Sequence, residues 1–337
     1  SIICVLNPTG GRGVVHTFGR NALPMTWDYM ETNVFNPEGA SWDVAIQRTL
    51  MVIENLSFDT HTNILCGLST ATLLSFKDNH FDAVFTDPPY YDNVPYADLS
   101  DFFYVWLKRC VGDVFPEIFS RPLTPKKDEI IADGSKQENP KLFFEEKLSE
   151  AFKEIYRVLK PNGIATIIYA YRTTEGWETM LNSLRNAKLV VTASWPIHTE
   201  RSGRLRAAAS AALSSSIYMV CRKTSREEIG FWSEMKPKIK EKVENKLQQF
   251  WNEGIAGGDF FISAIGPGME IFSKYASVES YAGEKVSTIE LLDYIRSIVT
   301  NFVVNQLLRN GSQLLIDKES QFYLAYRWTY LDNEVEF

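Results

Sequence analysis

The tetrapeptide Asp87-Pro88-Pro89-Tyr90 combines a carboxylate, a rigid backbone and an aromatic ring. A nucleobase amine is a poor nucleophile because its lone pair is delocalised into the ring. An oxygen of Asp87 and the carbonyl oxygen of Pro88 could accept hydrogen bonds from the two N–H groups of this amine, which would free its lone pair for attack. The two prolines fix φ and hold that carbonyl in place. The carboxylate would stabilise the positive charge that develops on the nitrogen.

Tyr90 supplies a ring that could stack on a base, an interaction worth about 1–3 kcal/mol. Such a base must first leave the duplex stack. Because proline averages about 5% of residues, a chance match to this tetrapeptide is expected in about one chain per thousand of this size. The alternative is a Pro-Pro turn that only closes a strand.

Alternating strands and helices must position these residues. Predicted strands cover 63–66, 81–86, 164–171, 189–195 and 215–221, and predicted helices cover 95–109, 144–159 and the segment around 177–184. A turn is predicted at 160–163, where a Lys-Pro-Asn-Gly sequence follows the clearest helix. The tetrapeptide directly follows the strand 81–86, and active sites of open α/β sheets lie at the carboxyl ends of strands.

This alternation predicts an α/β fold, with a doubly wound, mostly parallel sheet and a C-terminal helical extension. We assign residues 1–224 to the α/β domain, with a loop or insertion at 111–142, and 225–337 to a mainly helical region packed on it. In that region, the sequence Ser287-Thr288-Ile289-Glu290 has the pattern of a capping box.

Composition narrows the function classes. The net charge of −7, from 35 basic and 42 acidic residues, argues against a protein that coats DNA but permits an enzyme that grips it locally. The four cysteines include no Cys-x-x-Cys pair and the four histidines have no metal-ligand spacing, so we predict neither a disulfide framework nor a metal site. No apolar run approaches the roughly 18 residues of a membrane span. We therefore expect a cytoplasmic protein.

The string from Thr86 to Arg109, TDPPYYDNVPYADLSDFFYVWLKR, resembles the large zinc-ribbon-containing adenine-specific DNA methylases. These belong to the amino-methyltransferases that use S-adenosylmethionine and carry an Asp/Asn-Pro-Pro-aromatic motif. Further similar stretches are 12–33, 155–163, 195–200, 213–222 and 322–330. The resemblance implies a Rossmann-like methyltransferase fold and methylation of adenine N6 in DNA. It also implies a restriction-modification or phage-defence setting, with other subunits of that system as candidate partners.

Two features of that family are missing from the sequence. Neither an Asp-Pro-Phe-x-Gly-x-Gly cofactor loop before residue 87 nor a zinc ribbon is found, so the chain resembles the later part of a family member. The segment Gly266-Pro267-Gly268 mimics the glycine pattern, but it lies in the predicted helical region. Residues 7–13 (NPTGGRG) are followed by no clear helix, which a phosphate-binding loop needs.

Three residues are candidate cofactor contacts. The resemblance implies that the strand before the Asp-Pro-Pro-Tyr strand ends near the adenine of S-adenosylmethionine, which here points to Ser69. The alternative is that Ser69 caps a helix. An acid at the end of the preceding strand would hold the ribose hydroxyls, which makes Asp28 and Glu31 candidates. Their alternative is two solvated surface acids.

Residues after the motif are candidate substrate contacts. Tyr91, Asn93 and Tyr96, with Asp92 between them, could line the base pocket, or they could form a loop that leads into the next helix.

Three arginines lie between the last two predicted strands. Arg201, Arg204 and Arg206 could bind DNA phosphates. The alternative is a solvated loop.

Two other hypotheses stay open. The same chemistry could act on an amine of RNA or of a protein glutamine, although those enzymes more often carry Asn at the first motif position. The chain could also be a non-catalytic nucleic-acid-binding or assembly module, because the usual cofactor loop is absent from its sequence.

Overall fold

A computed structural model describes residues 3–6, 14–16, 29–31, 33, 35, 41–56, 67–92, 94–171, 173–198, 215–223, 227–308 and 317–330. Its strands are β1 (Ile3–Leu6), β2 (Val14–His16), β3 (Tyr29–Glu31), β4 (Phe81–Thr86), β5 (Leu159–Tyr169), β6 (Val190–His198), β7 (Ser215–Arg222), β8 (Glu227–Phe231) and β9 (Tyr275–Glu279). Its helices are α1 (Trp42–Leu56), α2 (Tyr96–Val111), α3 (Pro140–Val158), α4 (Thr174–Asn186), α5 (Trp232–Asn252), α6 (Gly257–Ser263), α7 (Ile265–Phe272), α8 (Thr288–Leu307) and α9 (Lys318–Tyr330).

The chain divides into two compact units. The first comprises residues 1–68 and 95–126, and the second comprises 69–94 and 127–337. In the first unit, β1 pairs antiparallel with both β2 and β3. The helices α1 and α2 belong to the same unit, and no residue of either helix is fully buried. This division differs from the predicted boundary at residue 224, and the domain assignment made from sequence stays a prediction.

The second unit is built on a four-stranded sheet of order β4-β5-β7-β6. Strand β4 pairs parallel with β5, whereas β7 is antiparallel to both β5 and β6. Three of the four strands therefore run in one direction, and β7 makes the sheet mixed. The predicted α/β class and the mostly parallel strand direction are confirmed. A Rossmann-like methyltransferase fold stays a prediction.

One face of this sheet forms the core of the second unit. Ala165, Ile167, Ile217, Met219 and Cys221 alternate along β5 and β7 and are fully buried. They belong to a hydrophobic cluster that also takes side chains from α3, α4, α5, α7 and α8. This packing fixes the carboxyl ends of β4 and β5, where the tetrapeptide lies.

Local sequence explains where the helices begin. Asn139 caps α3 by accepting a hydrogen bond from the backbone N–H of Leu142 at 3.2 Å, and Pro140 occupies the first turn. The predicted capping box is confirmed at α8, where Ser287 and Glu290 bond each other's backbone N–H groups. These caps satisfy N–H groups that a helix cannot pair internally.

Residues 160–163 do not end the preceding helix in a separate turn, as predicted, but lie within β5. Phe81 faces Leu159 and Ala83 faces Ile164, so five steps along β5 pass two steps along β4. The Lys-Pro-Asn-Gly segment is therefore accommodated as an irregularity in the ladder. The backbone N–H of His80 already bonds Val158 O at 2.7 Å, which starts the pairing before the irregularity.

The C-terminal part of the described chain is mainly helical, with α5 to α9. It also contains the two-stranded parallel sheet of β8 and β9, which the sequence analysis did not predict. Among the described residues, no helix is long and apolar enough to cross a membrane.

Candidate functional site

The tetrapeptide lies at the carboxyl end of β4, beside the carboxyl end of its parallel partner β5. Thr86, the last residue of β4, faces Ile167 of β5. The Asp87 side chain is exposed and has no hydrogen bond or ion pair with another described residue, whereas Pro88 is buried. A proline-anchored backbone thus presents an exposed carboxylate at the edge of the sheet.

The Tyr90 ring is half-buried and packs edge-on against Tyr169, with 5.5 Å between ring centroids. Tyr169 is fully buried, and its hydroxyl donates to Gly176 O at 3.1 Å. Its ring also meets the Trp177 ring edge-on at 5.0 Å. The core residue Tyr169 therefore supports the aromatic residue of the motif.

Tyr91 has a left-handed backbone, with φ of 51°. Its carbonyl accepts a hydrogen bond from Ala132 N at 3.1 Å, and its hydroxyl donates to Glu175 Oε1 at 3.2 Å. Burial and the Glu175 carboxylate raise the pKa of Tyr91 to about 12. The phenol therefore stays protonated and acts as a donor at neutral pH.

Asp92 accepts a hydrogen bond from the Tyr171 hydroxyl. Burial, followed by this hydrogen bond, raises the pKa of Tyr171 above its usual value. The Tyr171 carbonyl accepts a hydrogen bond from the indole N–H of Trp177 at 2.9 Å, so both the side chain and the backbone of Tyr171 are hydrogen-bonded. The loop after the tetrapeptide is thereby tied to the end of β5.

The structure brings together Asp87, Pro88, Pro89, Tyr90 and Tyr91. Asn93, Asp28, Arg201, Arg204 and Arg206 lie outside the described residues, as does the predicted strand 63–66. Glu31 is the last residue of β3, and Tyr96 is the exposed first residue of α2. Both belong to the first unit, whereas the tetrapeptide belongs to the second.

Ser69 is exposed, and its hydroxyl donates to Leu73 O at 3.3 Å. It does not cap a described helix. The hydroxyl oxygen can still accept a hydrogen bond. Ser69 therefore remains suited to contact a ligand with an N–H or O–H donor.

The glycines of the Gly266-Pro267-Gly268 segment are packing residues in α7. A methyl group at Gly266 would lie 2.0 Å from Ser194 Oγ, and one at Gly268 would lie 2.4 Å from Ile295 Cδ1. All three residues of the segment are buried, which leaves no backbone to hold a cofactor. The glycine-rich segment at 7–13 lies outside the described residues.

Sequence reasoning missed four residues of the site: Tyr169, Tyr171, Glu175 and Phe144. The Phe144 ring packs on the Tyr91 ring with 5.3 Å between centroids. A signal was present for two of them. The segment Tyr169-Ala170-Tyr171 ends an apolar strand, and side chains two residues apart share a face. The roles of Glu175 and Phe144 depend on helix packing, which no local pattern reveals.

Within the described residues, no group of three His, Cys, Asp or Glu side chains is arranged to hold a metal ion. Comparisons with protein-family models, curated proteins and solved structures found no match.

Proposed function

We propose that the chain methylates the N6 amino group of adenine in DNA with S-adenosylmethionine as methyl donor. The observation that carries this proposal is the exposed carboxylate of Asp87 next to the proline-fixed carbonyl of Pro88, at the carboxyl ends of β4 and β5. The family resemblance supplies the choice of adenine, of DNA and of a restriction-modification or phage-defence role. The cytoplasm is expected from the cysteine usage of the sequence.

Two residues of the motif bind the amine of the base. Asp87 and the Pro88 carbonyl accept hydrogen bonds from its two N–H groups, which directs the nitrogen lone pair away from the ring. S-adenosylmethionine supplies an electrophilic methyl group when bound. The nitrogen would attack that methyl carbon as the sulfonium S–C bond breaks and S-adenosylhomocysteine leaves. The methylated nitrogen would then release one proton to solvent, a step that needs no base with a strongly shifted pKa. Asp87 stabilises the positive charge on the nitrogen until the proton leaves.

The aromatic residues would orient the base. Tyr90 is supported edge-on by the buried Tyr169, so its ring is held in place before a substrate arrives. A preorganised ring loses little freedom when a base stacks on it. Tyr91, Asn93 and Tyr96 stay candidate pocket residues, and Arg201, Arg204 and Arg206 stay candidate phosphate contacts.

Ser69 is the cofactor candidate with a described side chain, and its exposed hydroxyl suits a contact with the adenine of S-adenosylmethionine. Asp28 and Glu31 stay candidates for the ribose hydroxyls. Subunits of a defence system stay candidate partners.

The test replaces Asp87 by Ala and measures transfer of a labelled methyl group from S-adenosylmethionine to DNA. Removing one charge-assisted hydrogen bond predicts a loss of about 1.5–3 kcal/mol, or roughly ten- to a hundredfold in rate. Asp82→Ala is the matched control. Asp82 is an exposed carboxylate on β4, the strand that precedes the motif, and its pair with Lys160 at 2.7 Å contributes little to stability, as exposed pairs do. Unchanged transfer by Asp87→Ala would defeat the proposal.

Two further arms separate the alternatives. RNA and a glutamine-containing protein are offered in place of DNA, and preferential methylation of either would reassign the substrate. Calorimetry with S-adenosylmethionine tests the non-catalytic hypothesis, which was raised because the sequence lacks the usual cofactor loop. Tight binding by the chain alone would remove that hypothesis.

A further inference from the structure

The loop that follows the tetrapeptide is held in an unusual conformation. Tyr91 has φ of 51°, a region that residues with a large side chain rarely adopt. Such a conformation costs free energy and persists only where the surroundings determine it. The residue directly follows Tyr90, so its backbone sets the direction in which the motif leaves β4.

Contacts of Tyr91 itself and of the residue after it stabilise this conformation. Its own carbonyl and hydroxyl bind Ala132 N and Glu175 Oε1. The next residue, Asp92, accepts a hydrogen bond from the Tyr171 hydroxyl.

Of the two side chains that bond this loop, Tyr171 is attached to the more buried neighbours. Tyr171 lies two residues beyond the buried Tyr169, and Trp177, itself buried, donates to its carbonyl. Glu175, by contrast, lies near the start of α4 with half of its side chain exposed. The two rings of Tyr91 and Tyr171 also pack edge-on, with 5.6 Å between centroids.

We propose that Tyr171 is a positioning residue for the Asp87-Pro88-Pro89-Tyr90 motif, and that it acts through its hydrogen bond to Asp92. The proposal rests on the methyltransferase function proposed above. It assigns different roles to the carboxylate of the motif and to the one that follows it. Asp92 is committed to Tyr171 and holds the loop, whereas Asp87 faces solvent and is left to bind the amine.

The test combines four variants with one control. Tyr171→Phe keeps the ring and removes the hydroxyl, Asp92→Ala removes the acceptor, and Asp92→Asn keeps an acceptor oxygen. The fourth variant combines Tyr171→Phe with Asp92→Ala. Tyr281→Phe is the control, because Tyr281 is a highly exposed tyrosine in the turn after β9.

Hydrogen exchange of the Ala132 amide, which donates to the Tyr91 carbonyl, tests without any substrate whether the loop is held. We expect faster exchange in Tyr171→Phe and in Asp92→Ala, and no further increase in the double variant, because the two changes remove the same bond. Unchanged exchange in Tyr171→Phe overturns the proposal. Wild-type rates are expected for Tyr281→Phe.

Kinetics test the positioning role. Misplacement of a reacting group lowers kcat by about ten- to a hundredfold, so we expect such a loss in Tyr171→Phe, with the KM for S-adenosylmethionine unchanged. Asp92→Asn should restore most of the activity that Asp92→Ala loses. An unchanged kcat in Tyr171→Phe, with an active wild type, overturns the positioning role. A wild type that transfers no methyl group defeats the proposed function instead, and the exchange measurement still decides whether the hydroxyl holds the loop.

Discussion

Two side chains of α3 fix the segment that leads into β4. The Arg157 guanidinium donates to both oxygens of Glu154, to Asp78 and to the carbonyls of Leu74 and Phe76, all between 2.7 and 2.9 Å. The backbone N–H of Leu74 donates to Glu154 Oε2 at 2.8 Å. Arg157 can serve this many acceptors because its five donors are arranged as a planar fork.

This network predicts a loss of stability in acid. The hydrogen bonds from Arg157, followed by the backbone N–H of Leu74, lower the pKa of Glu154 to about 2. A carboxyl group whose pKa is lowered by folding stabilises the folded state fully above its unfolded pKa, near 4.5, and loses this contribution as the pH falls toward 2. Glu154→Gln should therefore unfold more readily at pH 7, by about 1.5 kcal/mol. Urea unfolding from pH 7 to pH 2.5 measures this.

The variant should also depend less on pH, so the difference in stability between it and the wild type should shrink steadily as the pH falls from 7 to 2.5. Glu150→Gln is the control, since Glu150 lies on the same helix in an exposed pair with Lys147. A constant difference between wild type and Glu154→Gln across this pH range would contradict the assignment.

At the same scale, the sequence predicted the residue types of the site but not its contacts. Asp87, Pro88 and Tyr90 were recognisable because carboxylate, proline and aromatic ring stand together in the chain. Asp92 and Tyr171 stand 79 positions apart, and their hydrogen bond follows from the register of β4 and β5. The left-handed backbone of Tyr91 was also hidden, since tyrosine does not favour it.

At the scale of elements, the main sheet has two unequal faces. Ile217 of β7 is 1% exposed on the core face, whereas Ile197 of β6 is 43% exposed on the other face, where Phe85 of β4 is 66% exposed. The two isoleucines are on neighbouring rungs, because Ile197 pairs with Ser216 and Pro196 pairs with Ile217. The two residues thus share their side-chain type and lie at nearly the same level of the sheet, but one is buried and the other is largely exposed.

This pair predicts a large difference between two identical substitutions. Ile217→Ala should cost about 2–5 kcal/mol, since it leaves a cavity among packed side chains. Ile197→Ala should cost less than about 1 kcal/mol, most of it from lower β propensity. Denaturant unfolding of the two variants measures both values. Similar losses would show that the exposed face is covered in solution.

Periodicity predicted the helices α3 and α4 well, but it missed the 15-residue helix α1 and the short strands β8 and β9. α3, α4 and α5 bury regularly spaced apolar residues, which a 3.6-residue repeat reveals in the sequence. Strands β8 and β9 have five residues each and pair in parallel across more than forty residues. Their partnership depends on the packing of the helices between them, so no local pattern announces it.

At the scale of the whole molecule, the two units differ in how much they bury. The second unit contains a continuous hydrophobic cluster, to which α8 contributes Leu291, Ile295, Val299 and Val303. In the first unit, α1 and α2 have no fully buried residue. The first unit also takes its residues from two separate stretches of sequence, which is why composition alone could not delimit it.

This contrast predicts two levels of local stability in native-state hydrogen exchange. Regions with few buried contacts open at low free energy, whereas core helices exchange only near the global free energy of unfolding. For a domain of ordinary stability, about 5–15 kcal/mol, we expect the amides of α1 and α2 to exchange at least about a hundredfold faster than those of α8. The measurement is made under native conditions at several low denaturant concentrations. The α8 amides should become less protected as denaturant is added, because their exchange requires global unfolding, and those of α1 should hardly respond. Equal protection of α1 and α8 would mean that the first unit is buried against something in solution, and that the division into a stable and a less stable unit is wrong.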